Sequence, residues 1–451
     1  MQPKAKQPGK IGLGEKISYM LANMGNIPLM TLLSTFFLIF YTDVVGLDAG
    51  KLATLFLLSR IVDGISDPIM GFLLDRFPVT KHGKFRPMLI LGTIICVTNY
   101  ILLWFGAVWS PVGKYVIVYV TYLLLGFTFD IMDISLNSLL PVMTADMKER
   151  NSLSLLKMVA YMIGALGFSI AGPLIVASKT LESYYILIFG AMAITLVGSI
   201  VGALGVKERV AFKGEEKEKY TVKDMLRFLS MKPVWVLFVA NLLTALSSQM
   251  VTGSGTYFYT YIMGDLTIMS LATSLNMVGT LPGLFISPAI SNKIGKRNTY
   301  ILGAALMFGG YLVRLIDPRS LILIYVSTIV AGLGAGITSP LIYVLQADNT
   351  NYVQYKTGKR CEAAIASLSS FVTKLGQGIT GALPGYILAW AGYVANAPTQ
   401  PDSVVGGILT CAVYIPIGMC LVGLLTFVLG YKLDKKELEH ISAELQAKQA
   451  E

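Results

Sequence analysis

The chain has 451 residues, of which 54% are hydrophobic and only 14% are charged, whereas soluble globular proteins carry about 25% charged residues. This deficit excludes an ordinary soluble domain and predicts a membrane protein with many spans. The formal net charge of +10 does not indicate a nucleic-acid partner, because the basic residues lie between apolar runs and do not cluster on one face of a soluble domain.

Twelve apolar segments are long enough to cross a bilayer, which needs about 20 residues per helix. In chain order they lie at 17–42, 50–75, 87–108, 113–144, 153–178, 183–205, 233–262, 267–290, 298–316, 320–347, 362–392 and 404–431. The first apolar run is too long for the core of a signal peptide, so we expect it to be retained as a span. The sequence therefore predicts an all-α membrane protein.

Basic residues orient these spans. Most Lys and Arg residues lie in the N-terminus, in alternate loops and in the C-terminus. Five lie on the other side: Lys51, Lys114, Lys179, Arg314 and Arg319. By the positive-inside rule, both termini are expected in the cytoplasm of a cell whose plasma membrane holds the protein.

A polar segment at 207–232 divides the chain into an N-terminal half (1–206) and a C-terminal half (233–431), which is followed by a cytoplasmic tail (432–451). Within this cytoplasmic segment, Thr221 begins a stretch that reads either as a short amphipathic helix on the membrane surface or as a solvated linker.

The two halves repeat similar motifs after matching spans. After the second and eighth spans these are Gly71, Asp75, Arg76, Gly83, Lys84 and Arg86, and then Asn292, Lys293, Gly295, Lys296 and Arg297. After the fourth and tenth spans they are Ala145-Asp146 with Lys148 and Arg150, and Ala347-Asp348 with Lys359 and Arg360. Two six-helix halves repeated in parallel predict the major facilitator fold, with a substrate site between the halves near the midplane. We expect the first loop motif to contact no solute and to brace a closed inner gate.

The second span carries Arg60, Asp63 and Asp67, which lie on one face because their spacing is i, i+3 and i+7. Each charge would cost about 2.5–3.5 kcal/mol at the centre of the bilayer, so the three must face partners, water or an ion. Two carboxylates one turn apart supply the oxygen ligands that hard cations prefer. The pattern therefore predicts a site for a coupling cation such as Na+, with a purely structural network around Arg60 as the alternative.

Further charges lie in the fourth, fifth and eleventh spans. Asp130 and Asp133 are one turn apart and could face the second span, although Asp130 is equally well explained as an acid paired with a base in the inner cavity. Lys374 needs a carboxylate partner at its depth, whereas Lys157 lies nearer a span end and could extend to the membrane interface. The four acids and three bases within the spans leave one negative charge, which one Na+ or H+ would neutralise.

Several of these motifs resemble those of the glycoside–pentoside–hexuronide:cation symporters, a family that includes melibiose permease. The matching stretches are YTDVVGL (41–47), RIVDGISDPIMG (60–71), GKFRP (83–87), MDISLNSLLP (132–141) and TGKRCEA (357–363). The resemblance covers nearly the whole chain and implies the major facilitator fold and cation-coupled sugar transport.

The resemblance assigns roles residue by residue. It implies that Asp63 and Asp67 bind the coupling cation, that Asp133 serves both sugar and cation, and that Lys374 lies near both sites. Four other positions differ from those of melibiose permease: the first-span acid falls at Ile27, an aromatic residue at Asn137, the fifth-span arginine at Met158 beside Lys157, and a hydroxyl residue at Asp130. The resemblance thus implies that the coupling residues are kept while the sugar pocket is altered.

Residues expected to line a polar substrate pocket are Asp133, Asn137, Lys157, Lys374 and Gln377, joined by Gln346, Tyr122 and Tyr161 as further amides and aromatic faces. The cation site is assigned to Asp63, Asp67, Asp130 and Asp133, and the charge network to Arg60 and Lys374. Each amide or aromatic residue taken alone is also explained by packing.

The expected function is symport of a glycoside, pentoside, hexuronide or related sugar with Na+ or H+. The alternatives are a cation-coupled carrier of a lipid or other organic solute, and a membrane sensor. Enzyme activity is not expected, because the sequence contains no nucleotide-binding motif, metal-ligand cluster or nucleophile elbow. We expect no cofactor beyond the coupling ion (Na+, H+ or Li+), a small sugar and the lipid bilayer as partners, no nucleic acid, and a functional monomer.

Overall fold

The computed structural model describes residues 11–81, 83–144, 146–209, 227–228, 230–358, 362–395, 397, 399–433, 437, 440–441 and 444. Within helices, the side chains of 61, 64–65, 67–68, 71–75, 147–148, 151, 362–372 and 375 lie outside the description. The surface helix expected from Thr221 therefore lies outside the described residues. So do His82 and the predicted motif residues Ala145, Lys359, Arg360 and Cys361. The chain divides into two compact units, Met1–Glu216 and Lys217–Glu451.

The first unit is built from six long helices in the part of the chain that is described. They are α1 (Leu13–Ile39), which continues into a π-helical turn (Phe40–Val44), α2 (Ala49–Arg76), α3 (Phe85–Trp109), α4 (Lys114–Met143), α5 (Met147–Ile175), which ends in a 3-10 turn (Val176–Ser178), and α6 (Leu181–Gly205).

The second unit follows the same order. Its described helices are α7 (Lys232–Tyr257), with a π-helical turn (Phe258–Ile262), α8 (Ile268–Ile294), α9 (Lys296–Val313), α10 (Leu321–Thr357) and α11 (Glu362–Ala391). The last segment is α12 (Asp402–Leu409), a π-helical turn (Thr410–Tyr414) and α13 (Ile415–Gly430), which run on without a break.

The helices of the two units pack in the same pairs. In the first unit α1 packs on α5 and α6, α4 packs on α2 and α3, and α3 also packs on α6. In the second unit α7 packs on α11 and α13, α10 packs on α8 and α9, and α9 also packs on α13. Matching pairs in matching order are what a parallel internal repeat requires.

Small residues allow the close packing of α1 and α6. A Cβ added at Gly198 would lie 2.8 Å from the carbonyl oxygen of Leu21, and one added at Gly202 would lie 2.8 Å from that of Ser18. These glycines therefore bring the two backbones into contact, as is common between membrane helices.

The π-helical turns at the ends of α1 and α7 repeat in detail. Both contain the sequence Phe-Tyr-Thr, at 40–42 and 258–260. Each is followed by a glycine with positive φ, Gly46 at 78° and Gly264 at 74°. The same backbone bonds close both turns, because the amide six residues after each tyrosine returns to that tyrosine's carbonyl. The repeat predicted from the loop motifs thus extends to these turns.

Among the described residues, nine helices are long and apolar enough to cross a membrane by length and composition. The helices α2, α9 and α11 are not among these nine, and α2 carries six charged residues. The helix α10 continues ten residues beyond 347, the predicted end of the tenth span, so Ala347 and Asp348 lie inside the helix. Polar contacts of Asp348 and Asn349 keep this last part of α10 packed against its own unit.

Candidate functional site

Two acidic side chains meet where α2 packs against α4. Asp63 accepts a hydrogen bond from Nη1 of Arg60 at 2.9 Å, and its other oxygen would lie 2.7 Å from a Cβ added at Gly126 of α4. One turn later, the hydroxyl of Ser66 donates to Asp130 of α4 at 2.9 Å. The absence of a side chain at Gly126 lets the Asp63 carboxylate approach α4, so Asp63 and Asp130 occupy the same seam.

Ser66 is the residue of this seam that the sequence pattern did not single out. It lies in the run Asp-Gly-Ile-Ser-Asp, three residues after Asp63 and therefore on the same face of α2. Its side chain is fully buried. A buried serine at this spacing between two intramembrane carboxylates is the signal that would have identified it, since a hydroxyl oxygen is also a cation ligand.

A second group of polar side chains, joined by hydrogen bonds, runs from α1 through α4 to α5. The amide of Asn26 donates to one oxygen of Asp133 at 2.7 Å, and the amide of Asn137 donates to the other at 2.9 Å. The ammonium group of Lys157 in turn donates to the amide oxygen of Asn137. Asp133 is therefore held from both sides, and a neutral amide separates its charge from that of Lys157.

The first span has no acid at Ile27, and the polar residue beside this position is Asn26. Ile27 is buried and packs against α5, since a Cβ at Gly164 would lie 3.2 Å from its Cβ. The neighbouring Asn26 instead faces Asp133, and the amide oxygen of Asn26 is buried without a hydrogen-bond partner among the described residues. An asparagine inside the apolar run of the first span was the available signal, and the sequence reasoning missed it.

The structure gives different contexts to the other predicted pocket residues. Lys157 donates a hydrogen bond to Asn137 of α4. Tyr122 packs in an aromatic cluster, with its ring centroid 5.0 Å from that of Phe37, so its ring is a packing element. Lys374 and Gln377 lie one turn apart on α11 in the second unit and are both half-buried.

The predicted pairing of Asp63 with Asp67 is not visible in side-chain detail, because Asp67 lies on α2 but its side chain is outside the description. Among the described side chains, no group of three or more His, Cys, Asp or Glu residues is arranged to hold a metal ion. The described oxygen atoms of this seam are thus those of Asp63, Asp130 and Ser66, which belong to two helices.

The loop motif after α2 binds an acid that the sequence analysis did not identify. Glu208, just beyond α6, accepts hydrogen bonds from the backbone amides of Lys84, Phe85 and Arg86, each at 2.9 Å. These amides form the N-terminus of α3, where a negative charge is favourable. Gly83 has φ of 99°, and a Cβ there would collide with the Glu208 carboxylate, so glycine is required for both reasons.

Arg86 joins the same helix to the end of α6. Its guanidinium donates to the carbonyl oxygens of Ala203 at 2.6 Å and Leu204 at 2.9 Å. The second unit repeats this contact, because Arg297 on α9 donates to Val428 and Tyr431 at the end of α13.

The basic loop residues thus brace helices within one unit. Lys296 of the second unit forms an ion pair with Asp348 at 2.8 Å. Of the other predicted gate residues, Arg76 is exposed at the end of α2, and the side chains of Gly71 and Asp75 lie outside the description.

Sequence comparison gives a family and several relatives. A family model for "MFS/sugar transport protein" matches residues 18–435. An isoprimeverose transporter of Lactiplantibacillus pentosus is 33% identical, with 97% of this chain and 92% of that protein covered. A glucuronide carrier protein homolog of Escherichia coli is 30% identical, covering 95% of this chain and 94% of that protein. A putative glycoside/cation symporter of the same organism is 31% identical, with 91% and 90% covered.

Solved structures show the same fold at lower sequence identity. The nucleoside transporter NupG has a TM-score of 0.65 and 12% identity, and the match covers 93% of this chain and all of NupG. A bacterial homolog of the human lysosomal transporter Spinster has a TM-score of 0.60 over 92% of this chain and 94% of that structure. These matches place the fold of the chain among those of membrane transporters.

Proposed function

Because this chain belongs to the MFS/sugar transport protein family, we propose that it is a symporter that carries a glycoside, pentoside, hexuronide or related sugar together with Na+ or H+. Like its relatives, the chain is a membrane transporter, and it is not an enzyme. The finer proposals concern the solute class, the ion and the residues that bind them. They are supported by two groups of polar side chains in the first unit, the acidic seam of α2 and α4 and the hydrogen-bonded series from Asn26 to Lys157.

The cation site is proposed at the seam of α2 and α4, with ligands from Asp63, Asp67 and Asp130. The observation that carries this proposal is the contact of Ser66 with Asp130 beside Asp63, since it gathers carboxylate and hydroxyl oxygens from two helices. Hard cations prefer such oxygen ligands. Two carboxylates close together in a low dielectric also repel, so a bound cation or a proton stabilises them.

The sugar is proposed to bind along the series of hydrogen-bonded side chains from Asn26 through Asp133 and Asn137 to Lys157. Lys374 and Gln377 stay predictions from the sequence as further substrate-binding residues. Support comes from the unpartnered amide oxygen of Asn26 and the exposed side chain of Asn137. Amides donate hydrogen bonds to sugar hydroxyls and accept from them, and carboxylates accept from them. Asp133 is one turn from Asp130, which would link sugar binding to the cation site.

The setting of these sites is proposed to be a bundle of twelve spans in the plasma membrane, with both termini in the cytoplasm and the monomer as the functional unit. The distribution of Lys and Arg supports this topology. Labelling of a cysteine placed at His82 by an impermeant reagent from outside intact cells would contradict it. No cofactor besides the coupling ion is proposed.

The function is tested by uptake of a panel of glycosides, pentosides and hexuronides into vesicles, with and without a Na+ or pH gradient. One class should accumulate only with a cation gradient. Asp63→Asn should abolish this accumulation while exchange of substrate across the membrane persists. Asp48→Asn, which changes an exposed carboxylate before α2, is the matched control and should behave as the wild type.

Three outcomes would contradict the proposal. Full accumulation by Asp63→Asn would show that the cation site lies elsewhere. Gradient-driven uptake of a lysolipid with none of any sugar would favour a lipid carrier, and binding of a sugar with no movement would favour a sensor.

A further inference from the structure

A buried arginine lies at the end of α9, in the second unit, and belongs to neither group of polar side chains described above. Arg314 is only 5% exposed. Its Nε donates to the hydroxyl of Ser327 at 3.0 Å, and its Nη2 donates to the hydroxyl of Thr328 at 3.2 Å, both on α10. Arg314 directly follows Val313, the last residue of α9, and its guanidinium is packed against α10.

The charge of Arg314 is not balanced by the residues around it. Among the described side chains, no carboxylate lies within ion-pair distance of its guanidinium. A guanidinium has five N–H donors, and two of them are used by Ser327 and Thr328. Burial of a cation without a counter-charge is costly, and neutral hydroxyl groups do not remove that cost.

The environment is rich in hydroxyl groups. Tyr259 and Tyr311 are close enough for the charge of Arg314 to act on their hydroxyls. The hydroxyl of Tyr311 also shares a hydrogen bond with Ser248 at 3.2 Å. The carbonyl end of α9 favours a cation, but this end effect is screened and small beside the cost of burial.

The first unit provides an internal comparison. Leu103 lies seventeen residues after Arg86, and Arg314 lies seventeen residues after Arg297, so the two occupy the same register of the repeat. In the first unit, Tyr41 donates to the backbone carbonyl of Leu103, and no charge is needed at this position. The first unit therefore has an uncharged leucine at this register, inside α3, which continues to Trp109, whereas Arg314 directly follows the last residue of α9. The difference indicates that the arginine has another role.

We propose that Arg314 binds a small anion of about the size of chloride, with the hydroxyls of Ser327 and the neighbouring tyrosines completing the site. The anion supplies the missing counter-charge and accepts from the remaining guanidinium donors. Since Arg314 is almost closed off from solvent, the site suits a small monovalent anion better than the carboxylate of a bulky sugar acid. This site is separate from the proposed cation and sugar sites.

The experiment compares thermal unfolding of the purified full-length protein in chloride and in gluconate at equal ionic strength. The wild type should show a saturable rise in Tm with chloride, and Arg314→Leu, which installs the residue of the first unit, should lose that rise. Arg319→Leu, which changes an exposed arginine in the following loop, should keep it. Phosphate and glucuronate are titrated in parallel to distinguish larger anions.

Bromide soaked into crystals of the wild type gives a readout that does not depend on a variant. Anomalous scattering should place bromide beside the guanidinium of Arg314. A chloride effect of equal size in Arg314→Leu, saturation by glucuronate or phosphate but not by chloride, or bromide absent from Arg314 would each overturn the proposal.

Discussion

At the scale of single residues, the hydroxyl of Ser66 connects the two helices that carry the intramembrane acids. It donates to Asp130 on α4, and it lies one turn from Asp63 on the same face of α2. The hydroxyl of Ser66 also lies 3.3 Å from the carbonyl oxygen of Asp63 on its own helix, as the hydroxyl of Ser59 bonds the carbonyl of Phe56. Ser66 differs in that it bonds a carboxylate of another helix. The contact across helices therefore marks Ser66 as part of the acidic seam.

Ser66→Ala is expected to weaken the apparent affinity for the coupling cation by up to about tenfold, because a hydrogen bond contributes about 0.5–1.5 kcal/mol. Maximal uptake at saturating cation should change little. Ser59→Ala removes a buried hydroxyl from the same helix and is the matched control. The measurement is the cation dependence of initial uptake rates, and an equal loss in both variants would indicate a packing effect instead.

Some residues of the candidate site could be identified from the sequence, and others only from the packing of the helices. Asp63, Asp130 and Asp133 were predictable because a charge inside an apolar run is costly and has few explanations. Asn26, Ser66 and Glu208 were not, since a neutral polar residue or a loop acid is unremarkable in sequence. Their roles depend on which helices meet, and that information comes only from packing.

At the scale of elements, α3 is held between the loop that precedes it and the end of α6. Glu208 binds three amides at the N-terminus of α3, and Arg86 from the first turn of α3 binds the last carbonyls of α6. An ion pair of Glu15 with Arg209, at 2.7 Å, attaches α1 to the same segment. These contacts account for the glycine of the loop motif, the backbone amides at the start of α3 and the arginine that follows.

Gly83→Ala is expected to lower the Tm of the purified protein. The left-handed backbone at this position costs a residue with a side chain about 1–2 kcal/mol, and the new Cβ would also displace Glu208 from the helix. Gly190→Ala on α6 is the control, because its Cβ would meet no atom within 4 Å and its backbone is helical. An unchanged Tm in Gly83→Ala would show that the contact with Glu208 contributes little.

At the scale of the whole molecule, the two units keep one packing plan while their side chains diverge. The repeat was predictable from loop motifs, and the matched helix pairs and π-helical turns agree with it. The correspondence of Leu103 with Arg314 also follows from the sequence, because each lies seventeen residues after the arginine of the repeated loop motif. The burial of Arg314 against α10 was not predictable, because it depends on packing. A charge that is present in one repeat and absent from the other gives the two halves of a duplicated fold different functions.

Uptake of a neutral glycoside is expected to respond to membrane potential. The four acids and three bases of the second, fourth, fifth and eleventh spans sum to minus one in the empty carrier and to zero with one bound cation, so a cycle in which these groups return empty moves one positive charge inward. One charge across 100 mV is worth about 2.3 kcal/mol, which allows roughly forty- to fifty-fold accumulation at about 1.4 kcal/mol per tenfold. The measurement is uptake into vesicles with a valinomycin-imposed potassium potential, inside negative, at equal Na+ and pH on both sides. A hexuronide carried with one cation should show no such stimulation, whereas a neutral glycoside that also showed none would contradict the one-cation cycle.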